Sequence, residues 1–496
     1  MMRLSGYILI TIAVMLLLLS ACTVGPDYVK PTTEAPAAYK ELEGWKVGRP
    51  ADELIKGPWW EIFGDPKLNA LEEQVDISNQ NVATAEAQFR QARALVEVAR
   101  SGYYPTVTAG ASVTRSRLPA GVGSSASSGG TSPAYQLTGD ASWEPDLWGK
   151  VRRTVEAGEA SAQASAADLE AIRLSSRAAL AQDYFQLRAL DAQKELLDKT
   201  VIAFQKTLEL TKYRYASGVA SQADVLQAET QLKATTAQAI DVGVQRSQLE
   251  HAIAVLVGKP ASVFSIPFSP LSDTVLPAIP VGVPSELLER RPDISAAERL
   301  VAAANAQIGV AVSAYYPTIT LSASAGLEAS HLSKWLAWPS RFWSVGAAIA
   351  ETIFEGGLRK AQTEQARAAY DATVASYRQT VLSAFQDVED NLAALRILEE
   401  EARVQDDAVK ASQQSLMVTL NQYKSGIVSY LNVLVAQTAE LSNQETAINI
   451  LGRRMTSEVL LIKALGGGWD ASSLRAAGSD YHSVQAKSEG GENLQP

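Results

Sequence analysis

Apolar residues recur at helical spacing through Leu68, Leu71, Val75, Val82, Phe89 and Val96, which predicts a helix with one buried stripe. Asp65 and Pro66 open it as an N-cap and a first-position proline. At Pro105 the period changes. Val107, Ala109, Ala111 and Val113 alternate with Thr106, Thr108, Gly110, Ser112 and Thr114. A returning stretch sets Tyr135, Leu137, Ala141 and Trp143 against Gln136, Thr138, Asp140, Ser142 and Glu144. A period of two is a strand with one apolar and one polar face, so a β-hairpin is expected at about 104–146. Helical spacing then resumes, and residues 149–215 hold 67 residues without a proline. That is about 100 Å of helix at ~1.5 Å per residue, followed by a turn at 217–221 and a second helix to about Val257. Patterns this long indicate a coiled coil or helical bundle. Alanines such as those in residues 157–168 allow close approach of neighbours.

The whole sequence of elements then recurs. "YYPT" at Tyr103–Thr106 returns at Tyr315–Thr318, and "YRYASGVAS" (Tyr213–Ser221) returns as "NQYKSGIVS" (Asn421–Ser429). A second helix starts near "DISAAE", where Ser295 and Glu298 fit a capping box. In the second hairpin, about 316–354, Ile319, Leu321, Ala323 and Ala325 oppose Thr318, Thr320, Ser322 and Ser324. Its last strand, 342–354, is irregular because Glu351 interrupts the apolar row. A few extra residues in the first copy fit its Gly/Ser-rich stretch, 119–133. The organisation predicted is a leader (1–21), an N-terminal segment (22–64), repeat 1 (65–258), a connector (259–292), repeat 2 (293–466) and a polar tail (467–496). The connector carries seven prolines, which remove backbone donors and stop helices.

Composition changes this picture in two ways. A net charge of −10 argues against nucleic acid, whose phosphates demand a basic face. The apolar run from Tyr7 to Leu19 after Arg3 is short for a membrane helix and ends in small residues, as an export signal does. Cys22, the single cysteine, excludes an intramolecular disulfide. "LSAC" (Leu19–Cys22) resembles a lipobox, whose cleavage would leave Cys22 lipidated. Thr23, not Asp, follows, which points to the outer membrane.

An exported chain makes a second reading of the hairpins available besides a soluble sheet. Strands of ~10 residues can cross a bilayer when tilted. Tyr103, Tyr104, Trp143 and Trp148 gather near one end, and Trp335, Trp338, Phe342 and Trp343 near the other, as in an outer-membrane girdle. Four strands cannot close a barrel, and an open edge cannot sit in lipid. Two chains would give eight strands and a filled interior; three would give twelve and room for a lumen. The polar faces with Asp140 and Glu144 would line it.

The motifs "CTVGPDYVKP" (Cys22–Pro31), "WWEIFGDPKLNAL" (Trp59–Leu71), "ERRPDISAAERLVAAANAQIGVAVSAYYP" (Glu289–Pro317) and "SEVLLIKALGGGW" (Ser457–Trp469) together resemble the outer membrane factor family. These are the TolC-like exit ducts of tripartite efflux pumps, and the lipoprotein, NodT-type branch matches best. The resemblance implies a mixed α and β membrane protein: a homotrimer with a 12-stranded β-barrel and a helical periplasmic tunnel. It also implies an inner-membrane resistance-nodulation-division transporter and a periplasmic adaptor as partners, and no cofactor. The turns carrying Gly218, Val219, Gly426 and Ile427 would dock the adaptor. By position Asp224 and Tyr423 match a hydrogen-bonded pair of the gate, and Leu431 and Val435 sit at its constriction. Many members carry acids at the positions of Asn432 and Val435; this chain does not. Tyr103, Tyr104, Trp143, Tyr315 and Tyr316 would lie at the membrane interface. A duct for type I protein secretion is the alternative reading.

Other chemistry finds little support. His251, His331 and His482 have no metal-ligand spacing. "GVGSSASSGG" (Gly121–Gly130) lacks the strand and helix of a phosphate loop. "ERRPD" (Glu289–Asp293) reads as a linker-to-helix cap with solvated arginines. No nucleophile–base pair is supported by spacing, so an enzyme is not expected.

Overall fold

The computed structural model describes residues 23–33, 36, 38–41, 57–117, 131–271, 277 and 289–469. The expectations for the leader, Cys22, the Gly/Ser-rich loop up to residue 130 and His482 lie outside these residues, as do residues 272–276 and 278–288 of the connector. In chain order the elements are α1 (Pro66–Ser78), α2 (Gln80–Arg100), β1 (Thr106–Arg117), β2 (Thr131–Trp143), α3 (Lys150–Ala216), α4 (Gln222–Leu256), α5 (Pro292–Ser313), β3 (Thr318–Ala329), β4 (Arg341–Ala350), α6 (Leu358–Lys424) and α7 (Tyr430–Ala464). The repeat is visible in the lengths: α3 and α6 have 67 residues each, and α4 and α7 have 35 each. None of the described helices is long and apolar enough to cross a membrane. The chain divides into two compact units, residues 1–31, 90–164 and 297–376, and residues 32–89, 165–296 and 377–496.

The first unit contains the sheet, ordered β1-β2-β3-β4 and antiparallel throughout. Register sorts the side chains by face. Val107 pairs with Ala141, Ala141 with Ala323 and Ala323 with Val345, an apolar row across four strands. Thr108, Asp140, Ser324 and Ser344 form the neighbouring polar row, within which the Ser324 hydroxyl donates to Asp140 at 2.7 Å. The apolar row is open: Val107 is 72% and Val345 75% exposed. β4 ends at Ala350, so Glu351 does not interrupt the strand as expected. Its carboxylate instead accepts from Arg359 at 2.8 Å.

Also in this unit, residues 24–28 are fastened to α3 and α5. Val24 N–H donates to Trp148 O at 3.2 Å. The nearly buried Arg153 guanidinium donates to Val24 O, Gly25 O and Asp27, and Asn305 Nδ2 donates to Pro26 O at 3.0 Å.

In the second unit, Asp65 caps α1 as expected, accepting from the N–H groups of Lys67 and Leu68. Its other oxygen accepts from the Tyr184 hydroxyl at 2.6 Å. The single helix expected from Leu68 to Val96 is broken at Asn79. That side chain accepts from Asn81 and Val82 N–H, starting α2, and donates to Leu256 O at 2.8 Å. Ser295 and Glu298 do not form a capping box. α5 begins earlier, at Pro292, and Ser295 N–H already donates to Arg291 O. Nor is Arg291 solvated: it is buried and donates to Asp293, Asp387 and Ala464 O. A proline at the first helical position displaces the cap by one turn. Two buried carboxyls have unpartnered oxygens, both of Glu72 and one of Glu458. Burial pushes Glu72 well above, and Glu458 up to about 8 from, the ordinary carboxylate range.

Candidate functional site

The two helical hairpins end in turns of similar chemistry. In the first, Val219 and Ala220 N–H donate to Arg214 O at 2.8 and 3.2 Å, and Gly218 N–H donates to Tyr215 O. In the second, Ile427 N–H donates to Gln422 O and Gly426 N–H to Tyr423 O. Gly218 and Gly426 have φ of 73° and 78°, left-handed values that side chains with a Cβ resist. The apical Val219 and Ile427 are 64% and 72% exposed.

The turns differ in how the next helix starts. Ser221 and Asp224 form a full capping box, with Ser221 Oγ accepting from Asp224 N–H at 3.1 Å and Asp224 Oδ2 accepting from Ser221 N–H at 2.9 Å. Their counterparts are Ser429 and Asn432, and Ser429 makes no side-chain cap bond.

Beneath the turns lies a cluster of Leu208, Ala228, Tyr423, Tyr430 and Val433. The Tyr423 and Tyr430 rings meet edge-on at 6.0 Å, and burial pushes the Tyr430 hydroxyl up to about 12. The pairing of Asp224 with Tyr423 that the family resemblance implies is not made within this chain. The Tyr423 hydroxyl lies 3.1 Å from Thr211 Oγ1 and donates there, while Asp224 is committed to its capping box. Leu431 and Val435 project from α7 into solvent, 53% and 60% exposed. Among the described residues, no group of three or more His, Cys, Asp or Glu could hold a metal.

The aromatics at the sheet's other landmark, its base, are brought together. Trp143 Nε1 donates to Tyr103 O at 3.0 Å, and Trp148 Nε1 to Pro317 O at 2.7 Å. Trp148 stacks on Tyr316 at 5.0 Å, and the Arg359 guanidinium lies over Tyr315 at 5.6 Å. Tyr103, Tyr104, Trp143, Tyr315 and Tyr316 all remain at least a third exposed.

The sequence pattern does not mark Arg214. Its one legible signal is that its counterpart in the second repeat is Gln422, so the two tips differ where their glycines agree.

An antiparallel sheet with one apolar and one polar face, carried on a chain that repeats helix, hairpin and long helical hairpin, defines an outer-membrane channel protein. The profile of the outer membrane efflux protein family matches residues 71–259 and again 283–467, and the chain belongs to that family. It is 32% identical over 462 residues to the toluene efflux pump outer membrane protein TtgC of Pseudomonas putida, covering 93% of this chain and 96% of that one. Among solved structures it resembles the outer-membrane channel OprN, with a TM-score of 0.85 and 32% identity over 90% of this chain and all of that one. It also resembles the open state of the MtrE channel of Neisseria gonorrhoeae, with a TM-score of 0.79 and 28% identity over 91% and 99% of the two chains. The protein is an outer-membrane efflux channel and not an enzyme.

Proposed function

We propose that three copies of this chain form the exit duct of a tripartite efflux pump. The duct passively conducts small molecules that an inner-membrane transporter and a periplasmic adaptor deliver. The observation that carries this reading is the sheet: β1 and β4 each leave one edge unpaired while the apolar face is exposed. Open edges are not tolerated in lipid. With four alternating strands, β4 of one copy runs antiparallel to β1 of the next. Head-to-tail pairing of that kind closes a ring, and three copies give twelve strands with a lumen.

On this reading Cys22 carries a lipid anchor, and Gly218, Val219, Gly426 and Ile427 meet the adaptor. Asp224, Tyr423, Leu431 and Val435 belong to the gate, and repeats 65–258 and 293–466 act as the structural units. A strain lacking the gene should become hypersensitive to dyes and antibiotics, and a plasmid copy should restore resistance. Unchanged sensitivity to all such compounds, with loss of a secreted protein instead, would reassign the duct to protein export.

A further inference from the structure

A side chain of the first hairpin tip reaches the backbone of the second. Arg214 stands in the last turn of α3, and its Nη1 donates to Tyr423 O at 2.7 Å and to Lys424 O at 3.2 Å. These are carbonyls of the last turn of α6, where the helix leaves acceptors unsatisfied and carries partial negative charge. The guanidinium also lies over the Tyr423 ring, 4.6 Å from its centroid. The backbone carbonyl of Arg214 meanwhile accepts from Val219 and Ala220. One residue thus closes its own turn through its main chain and caps the other turn through its side chain.

The second tip has less side-chain support of its own. Its counterpart residue Gln422 offers no guanidinium, and α7 starts at Ser429 without a side-chain cap, whereas α4 starts with a capping box. Both turns close through their own main-chain bonds, but only the first adds a capping box, and the second takes side-chain bonds from the first. Two further bonds run the other way, from the second hairpin to the first. Tyr423 hydroxyl meets Thr211 at 3.1 Å and Gln437 Nε2 meets Thr207 at 3.2 Å, both buried.

We infer that Arg214 is the positioning residue that pins the tip of the second repeat to that of the first, so that losing its bonds frees residues 421–432 to swing and raises leakage through the duct. This rests on the proposed gate. Both bonds are made to main-chain carbonyls, so a changed side chain at position 424 preserves the acceptors, whereas a change at position 214 removes the donor. Lysine keeps the charge but not the planar fork that reaches two carbonyls while covering a ring.

The test is planar-bilayer conductance of the purified full-length protein with three variants. Arg214→Gln, which installs the residue of the other repeat, should raise baseline open probability roughly tenfold, the effect of losing charge-assisted hydrogen bonds. Arg214→Lys should fall between it and the parent. Lys424→Ala, which keeps both carbonyls, should leak less than Arg214→Gln. The fully open conductance and the melting temperature of the oligomer should be unchanged in all three, which a merely structural role would not allow. Parent-like baseline in Arg214→Gln overturns the inference while leaving the duct intact. Absence of any pore in the parent protein overturns the duct itself.

Discussion

Glu458 is 5% exposed on α7, and burial drives its carboxyl up to about 8 against a smaller opposing pull from Arg454. In an unfolded chain a glutamate titrates near ~4.3, so the folded chain holds this proton more tightly. The resulting stabilisation is complete below the unfolded value and is lost as pH rises through about 8. Glu458→Gln should therefore flatten the dependence of melting temperature on pH, gaining a few degrees above pH ~8 and little at pH ~5. Melting followed by circular dichroism in detergent checks this; a parent curve already flat over that range would count against it. Nothing in the spacing of "TSEVLLIK" (Thr456–Lys463) marked Glu458 as buried, because α7 is apolar on more than one side. Arg214 was equally silent, since an arginine near a helix end ordinarily faces water. Tyr103, Tyr104, Tyr315 and Tyr316 were legible for the opposite reason: two adjacent aromatics before a proline and a change of period describe a boundary locally.

At the scale of elements, β4 stops at Ala350, short of the expected 354, but the faces of β1, β2 and β3 could be read from their alternation, because a period of two with Thr and Ser on one side admits one register. The helix break at Asn79 could not. Asn79 ends α1 and starts α2 with its own side chain, and no glycine or proline announces it. The difference between the tips is also an element-level property. Ser221→Ala removes a bond that exists and should cost about 1 kcal/mol, loosening the first turn of α4 in amide hydrogen exchange. Ser429→Ala removes no cap bond and should leave the start of α7 unchanged. Equal effects at both serines would mean that the capping box does not set tip rigidity.

For the molecule as a whole, the exposed apolar face and the unpaired β1 and β4 edges make a single chain incomplete. Charge on the outward face is then the most direct probe. Val345→Arg places a cation toward lipid and should cost ~2–4 kcal/mol near the bilayer midplane, seen as loss of the heat-modifiable oligomer on gels. Ser344→Arg, one residue away on the polar face, should assemble normally, because in the proposed trimer that face lines the lumen. Reversal of that order would mean that the faces are assigned the wrong way round.

The amino-acid sequence by itself determined the period of each segment, the tip glycines and the aromatics at the helix-to-strand junctions, because each of these depends on residues adjacent or one turn apart, and it showed the duplication because the same local motifs recur. Tertiary structure alone decided the contacts between segments distant in sequence. It committed Asp224 to its own helix and Tyr423 to Thr211, buried Arg291 against Asp387, and brought Arg214 onto the end of α6. Those outcomes depend on which helix faces lie against one another, and a local pattern carries no record of its distant neighbour.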